Sequence, residues 1–134
     1  MPYFGNHSKE RLLTCHPLIQ EVLNEAIELY DFAVLCGYRG EKEQNECFAR
    51  GASDCIFPKS RHNKMPSTAV DCAPFPISWA KNMEYRFKEM ADVILMVAEN
   101  KKIPLEWGGI VIKLKNGSMD NPHFQLKKGF DKGV

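Results

Sequence analysis

Four histidines occur in the chain, and two of them stand in company that could do chemistry. His62 lies at the end of a polar stretch, in Ser60-Arg61-His62-Asn63, and Asp71 follows inside the apolar run Thr68-Ala69-Val70-Asp71-Cys72-Ala73. If that run is a strand, Val70 and Cys72 share one face while Ala69, Asp71 and Ala73 share the other. The small neighbours leave room in front of the carboxylate. His123 repeats the arrangement: in His123-Phe124-Gln125-Leu126, Phe124 and Leu126 can face a core while His123 and Gln125 face away. Asp120 stands just upstream, with Pro122 stiffening the chain between. Two histidines and one carboxylate make a three-ligand set with a fourth position open to water, the pattern of catalytic zinc. Asp120 would then be a free carboxylate suited to taking a proton from that water. Because the ligands come from separate strands and no local motif ties them together, spacing alone weighs this site evenly against ordinary surface histidines and a solvent-facing Asp71.

Leu35-Cys36-Gly37-Tyr38-Arg39-Gly40 delivers a guanidinium at the end of a strand, and the helix that follows carries Gln44. Arginine can grip a carboxylate or stabilise a developing oxyanion; the plainer alternative is a surface ion pair with Glu41 or Glu43. Five cysteines form no C-x-x-C pair. An odd count fits free thiols in a reducing compartment. Cys47, Cys55, His62 and Cys72 have the spacing of no zinc finger, and free cysteines are usually buried packing residues. His7 and His16 have no flanking pattern and read as surface or helix-start residues.

These groups need elements to hold them. After Pro17, which suits a first helical turn, Ile19, Val22, Leu23, Ala26, Ile27 and Tyr30 form an amphipathic stripe. Residues 32–36 read as a buried strand and 41–50 as a helix capped by Gly51. Residues 52–66 read as a long functional or mobile loop. A strand over 68–73, a helix over 83–100, and strands over 105–107, 110–114 and 123–126 complete the pattern. Asn116-Gly117 is the cue for a hairpin. Helices come early and strands gather late with hairpin connections, which predicts an α+β fold.

Composition bounds the function. A length of 134 residues predicts a single domain over 1–134. Lys+Arg 18 against Asp+Glu 17 gives a net charge of +1, too small for electrostatic capture of nucleic acid. No apolar run is long enough to span a bilayer, and the amino terminus lacks an apolar signal-peptide core. The mildly basic tail over 127–132 reads as a solvated terminus.

Taken together, Gly37-Tyr38-Arg39 with Glu43-Gln44, Ser60-x-His62, Ala69-Val70-Asp71-x-Ala73-Pro74, Trp107-Gly108-Gly109 and Asp120-x-x-His123-Phe124-x-Leu126 resemble the zinc peptidoglycan peptidases. That family includes D-Ala-D-Ala carboxypeptidases and dipeptidases, and the L-alanyl-D-glutamate endopeptidases that phages use as endolysins. The resemblance implies the hedgehog/DD-peptidase α+β fold, Zn2+ on His62, Asp71 and His123, and Asp120 as catalytic base. It implies Arg39 steadying substrate or transition state, and Gln44 and Ser60 lining the site; Trp107 is the candidate substrate wall. Two features depart from many members: the His62-to-Asp71 interval is longer, and Ile110-Val111 replaces Asp-Trp.

The expectation is therefore a phage endolysin cutting the L-alanyl-D-glutamate bond of bacterial peptidoglycan. It would be a monomer, with no separate wall-binding module and no nucleic-acid partner. It would be held in the host cytoplasm until a separate pore admits it to the cell wall. The rival readings are a D-Ala-D-Ala carboxypeptidase or dipeptidase, and a non-catalytic metal-stabilised wall-binding domain.

Overall fold

The computed structural model describes residues 2–129, so residues 130–132 of the basic tail lie outside the described residues. A first helix, α1 (Asn6–Leu12), precedes the stripe seen in the sequence and was not expected from it. α2 (Pro17–Ala26) begins with Pro17 in its first turn, and the His16 ring accepts from the Leu18 N–H. His16 is thus a helix-start residue. β1 (Phe32–Cys36) leads to α3 (Glu41–Ala49), beyond which Gly51 takes a positive φ of 77°. The polar stretch that follows holds a short 3-10 turn, Arg61–Asn63. Then come β2 (Ala69–Pro74), α4 (Tyr85–Asn100), β3 (Leu105–Trp107), α5 (Gly108–Val111) and β4 (His123–Leu126).

The four strands form one antiparallel sheet in the order β1-β2-β4-β3, so the fold is α+β as expected. The Asn116-Gly117 turn closes a short antiparallel hairpin, in which Lys113 bridges Met119 and the Asp120 N–H donates to the Ile112 carbonyl, but the four strands of the sheet are joined by longer connections. β1 and β2 are neighbours separated by α3 and the polar stretch, and β4 inserts between β2 and β3. Period-two alternation divides the sheet. Val34, Val70, Cys72, Leu105, Trp107, Phe124 and Leu126 turn to the core, where α4 packs on β2 and β3, and α2 packs on α4. α4 supplies Phe87, Met90, Ala91, Ile94, Val97 and Ala98 to this core, side chains that recur with helical period. The opposite face carries Asp71, His123, Gln125 and Glu106.

Residues 110–114 are a correction to the sequence reading. Instead of a strand, the chain turns through α5 and makes one isolated bridge, Lys113 to Met119, around the Asn116-Gly117 turn. Ile110 and Val111 are exposed and find no strand to cover them. All five cysteines are free, and no helix among the described residues is long and apolar enough to cross a membrane.

Candidate metal centre and active cleft

β1 carries a bulge at its end. Val34 pairs with Cys72, yet Cys36 pairs with Asp71, so Leu35 is the extra residue. In unbulged pairing Leu35 would sit opposite Asp71 and Cys36 opposite Val70. With the bulge, Cys36 stands beside Asp71, and the chain leaves the sheet through Gly37. A side chain at Gly37 would collide with Thr14 and with the Arg11 carbonyl. This exit strand is knitted to the turn that carries His62. The Arg39 N–H donates to the His62 carbonyl (2.7 Å), the Asn63 amide donates to the Arg39 carbonyl (2.9 Å), and His62 Nδ1 lies 2.7 Å from the Gly37 carbonyl. Ser60 caps the turn, its Oγ accepting from the His62 N–H.

A carbonyl oxygen only accepts, so His62 Nδ1 bears the proton and Nε2 keeps a lone pair. That Nε2 is buried and has no hydrogen-bond partner among the described residues. It lies 3.4 Å from Asp71 Oδ1, and His123 Nδ1 lies 3.4 Å from the same oxygen. The two imidazoles meet edge to face at 5.2 Å between centroids. On the sheet, Asp71 and His123 are direct cross-strand partners. Asp120 Oδ2 is 3.8 Å from His123 Nδ1. The turn that brings it there is tight: a side chain at Gly108 would collide with the Asp120 carbonyl.

Burial opposes charge on Asp71, yet His62 first and His123 after it hold its carboxyl well below the ordinary carboxylate range. For His123 burial likewise works against charge, but Asp71 and then Asp120 push its pKa up. Burial raises Asp120, with the nearby histidines and Arg39 offsetting part of the rise. An unpartnered buried nitrogen is costly, and two imidazole nitrogens converging on one carboxylate oxygen are the donor set that a divalent cation satisfies. Nitrogen and oxygen donors of this kind fit zinc.

The sequence-expected residues divide into two groups. Arg39, Ser60, His62, Asp71, Asp120 and His123 all line one cleft of about 290 Å³. Gln44 does not line it. It is 0% exposed, and its side chain accepts from Arg39 Nε (2.7 Å) and Asn63 (3.1 Å) while donating to Ser53 Oγ (2.9 Å) and the Cys55 carbonyl (2.6 Å). It therefore supports the cleft from behind. Trp107 is buried on the core face of the sheet, its indole N–H donating to the Asn121 carbonyl. Its ring belongs to the core and forms no wall of the cleft.

Cys36 was not singled out by the sequence. Its sulfur and ligand atoms of His62 and Asp71 all lie within 4.8 Å of one another. Burial, and then the charge of Asp71, push the Cys36 thiol up to about 12, so it stands beside the site as a neutral thiol. Only the bulge brings it there. Gln125 and Glu106 were also passed over as site residues; the alternation of Leu105-Glu106-Trp107 against Phe124-Gln125-Leu126 is the signal that would have found them.

The family model described as phage L-alanyl-D-glutamate peptidase matches residues 2–127. Among solved structures, the L-Ala D-Glu endopeptidase ChiX of Serratia marcescens is similar over 94% of this chain and 91% of its own. The two share 30% sequence identity with a TM-score of 0.72. No curated protein matches the sequence.

Proposed function

The chain belongs to the phage L-alanyl-D-glutamate peptidase family and is a peptidase acting on peptidoglycan, and from that premise we propose that it is a zinc enzyme with His62, Asp71 and His123 as the metal's ligands. The observation that carries this reading is the buried, unpartnered His62 Nε2 facing the oxygen of Asp71 that His123 Nδ1 also approaches. Zinc held there would supply Lewis acidity, lowering the pKa of water toward neutrality and polarising the scissile carbonyl.

The remaining steps fall to the chain's own residues. Asp120 accepts a proton from the water as its oxygen bonds to the carbonyl carbon. As the C–N bond breaks, Asp120 returns that proton to the departing amine of D-glutamate. Burial raises its pKa, which makes it a stronger base than an exposed aspartate. Arg39 is permanently charged and lines the same cleft. It faces either a substrate carboxylate or the negative oxygen that develops during attack. Ser60 holds the His62 turn through its cap. In this reading the protein acts as an endolysin, working as a monomer on the cell wall after a separate pore releases it from the host cytoplasm.

The test is to incubate purified protein with peptidoglycan and identify the new termini by mass spectrometry. New L-alanine carboxyl ends and D-glutamate amino ends are expected, lost with a chelator and restored by zinc. Release of D-alanine would instead favour the carboxypeptidase reading. Wall binding without any product would favour the non-catalytic one. Single changes of His62, Asp71 or His123 to Ala should each remove most of the zinc, since three ligands leave none to spare.

A further inference from the structure

His123 is useful as a ligand only if its proton sits on Nε2, leaving the Nδ1 lone pair turned toward Asp71. A side-chain relay on the same sheet face bears on that choice. His123 Nε2 lies 2.8 Å from Gln125 Oε1, and Gln125 Nε2 donates to Glu106 Oε1, also at 2.8 Å. Glu106 and Gln125 are cross-strand partners on β3 and β4, and Gln125 is flanked on β2 by the small side chain of Ala69.

We propose that Glu106, acting through Gln125, selects the His123 tautomer that can bind the metal; this rests on the zinc reading given above. An ionised carboxylate only accepts hydrogen bonds, so Gln125 must turn its NH2 group toward Glu106. Its oxygen then faces His123, and only an imidazole protonated on Nε2 can meet it. Flipping the Gln125 amide would set its oxygen against the Glu106 carboxylate and forfeit a charge-assisted bond. It would also favour a proton on His123 Nδ1, where it would occupy the lone pair needed for the metal. Glu106 does not approach the reacting atoms and is a positioning residue. Partners of this kind, removed one step from the metal, are worth about 10- to 100-fold in metal affinity.

The relay has a polarity, and polarity can be tested by swapping its ends. Glu106→Gln keeps size but lets either amide face either way. The double variant Glu106→Gln/Gln125→Glu restores a one-way chain: the new carboxylate at 125 accepts from His123 Nε2–H, and the new amide at 106 donates to it. The readouts are zinc affinity by chelator competition and the His123 tautomer by ¹⁵N NMR, taken in metal-free protein at a pH above the raised pKa of His123, where the imidazole is neutral. Glu106→Gln should bind zinc about 10- to 100-fold more weakly and move the proton toward Nδ1. The double variant should recover most of both. A purely structural role would lower the melting temperature of the metal-free protein and would not be rescued by the swap. Unchanged affinity and tautomer in Glu106→Gln, or a double variant as weak as the single one, overturns the proposal. Wild-type protein that binds no zinc overturns the zinc reading itself, and the relay with it.

Discussion

Replacing Gln44 with Leu keeps nearly the same volume and removes four hydrogen bonds from a fully buried side chain. A neutral bond contributes about 1 kcal/mol net and one to a charged group about 1.5–3 kcal/mol, so the network is worth about 5 kcal/mol. Arg39, Ser53, Cys55 and Asn63 are only half-buried, and water entering from the cleft will satisfy part of what is lost. The expected loss is therefore about 3 kcal/mol, a large share of the roughly 5–15 kcal/mol available to a domain. At about 4 °C per kcal/mol for a chain of this size, the melting temperature should fall by about 12 °C. Urea unfolding should show a lower midpoint with an unchanged slope. Arg39 also loses the acceptor that orients its guanidinium, and a displacement of about 1 Å can cost about a hundredfold in rate. Hydrolysis per folded molecule, measured well below the new melting temperature, should fall on that scale. A stability loss below about 1 kcal/mol, or undiminished turnover, would refute the claim that Gln44 braces the cleft.

Two further outcomes follow from the site. Asp120→Asn should keep its zinc, checked by elemental analysis, and lose about a hundred- to ten-thousandfold in kcat; Asp120→Glu should recover little because its carboxylate is displaced. Loss of zinc in Asp120→Asn would make it a ligand, and unchanged lysis a bystander. In metal-free protein, Asp71 has a depressed pKa, so its contribution to stability is present above its ordinary value of 3.8 and lost as pH falls. His123 has a raised pKa, so its contribution is present below 6.5 and lost as pH rises through the folded value. Melting curves should therefore show the pair's contribution greatest between about pH 4 and 6.5, and Asp71→Asn should flatten that maximum.

Much of the site was legible in the sequence because strand alternation is a local property. The period of two placed Asp71 apart from Val70 and Cys72, and His123 and Gln125 apart from Phe124 and Leu126. The structure keeps each assignment. Helical stripes were equally local, so α2 and α4 emerged near their observed limits. The resemblance then joined residues too far apart in the chain for spacing to relate them.

Other features depend on which strand pairs with which, and at what register. The same alternation that puts His123 on the open face puts Trp107 in the core, a consequence visible only once β3 is known to pair with β4. Gln44 sits on a helix whose single buried polar side chain looks like any other exposed one in the sequence; long-range contacts with Arg39, Ser53 and Cys55 bury it. Residues 110–114 had strand composition, but Ile110 and Val111 belong to α5 and only Lys113 forms a bridge, to Met119. Cys36 reaches the metal site because one extra residue shifts the β1–β2 register, and a one-residue shift exchanges the faces of every side chain beyond it. Residue types and their periodicity are written in the chain. Pairing register is a collective choice of the sheet, made when distant segments bury their apolar faces together.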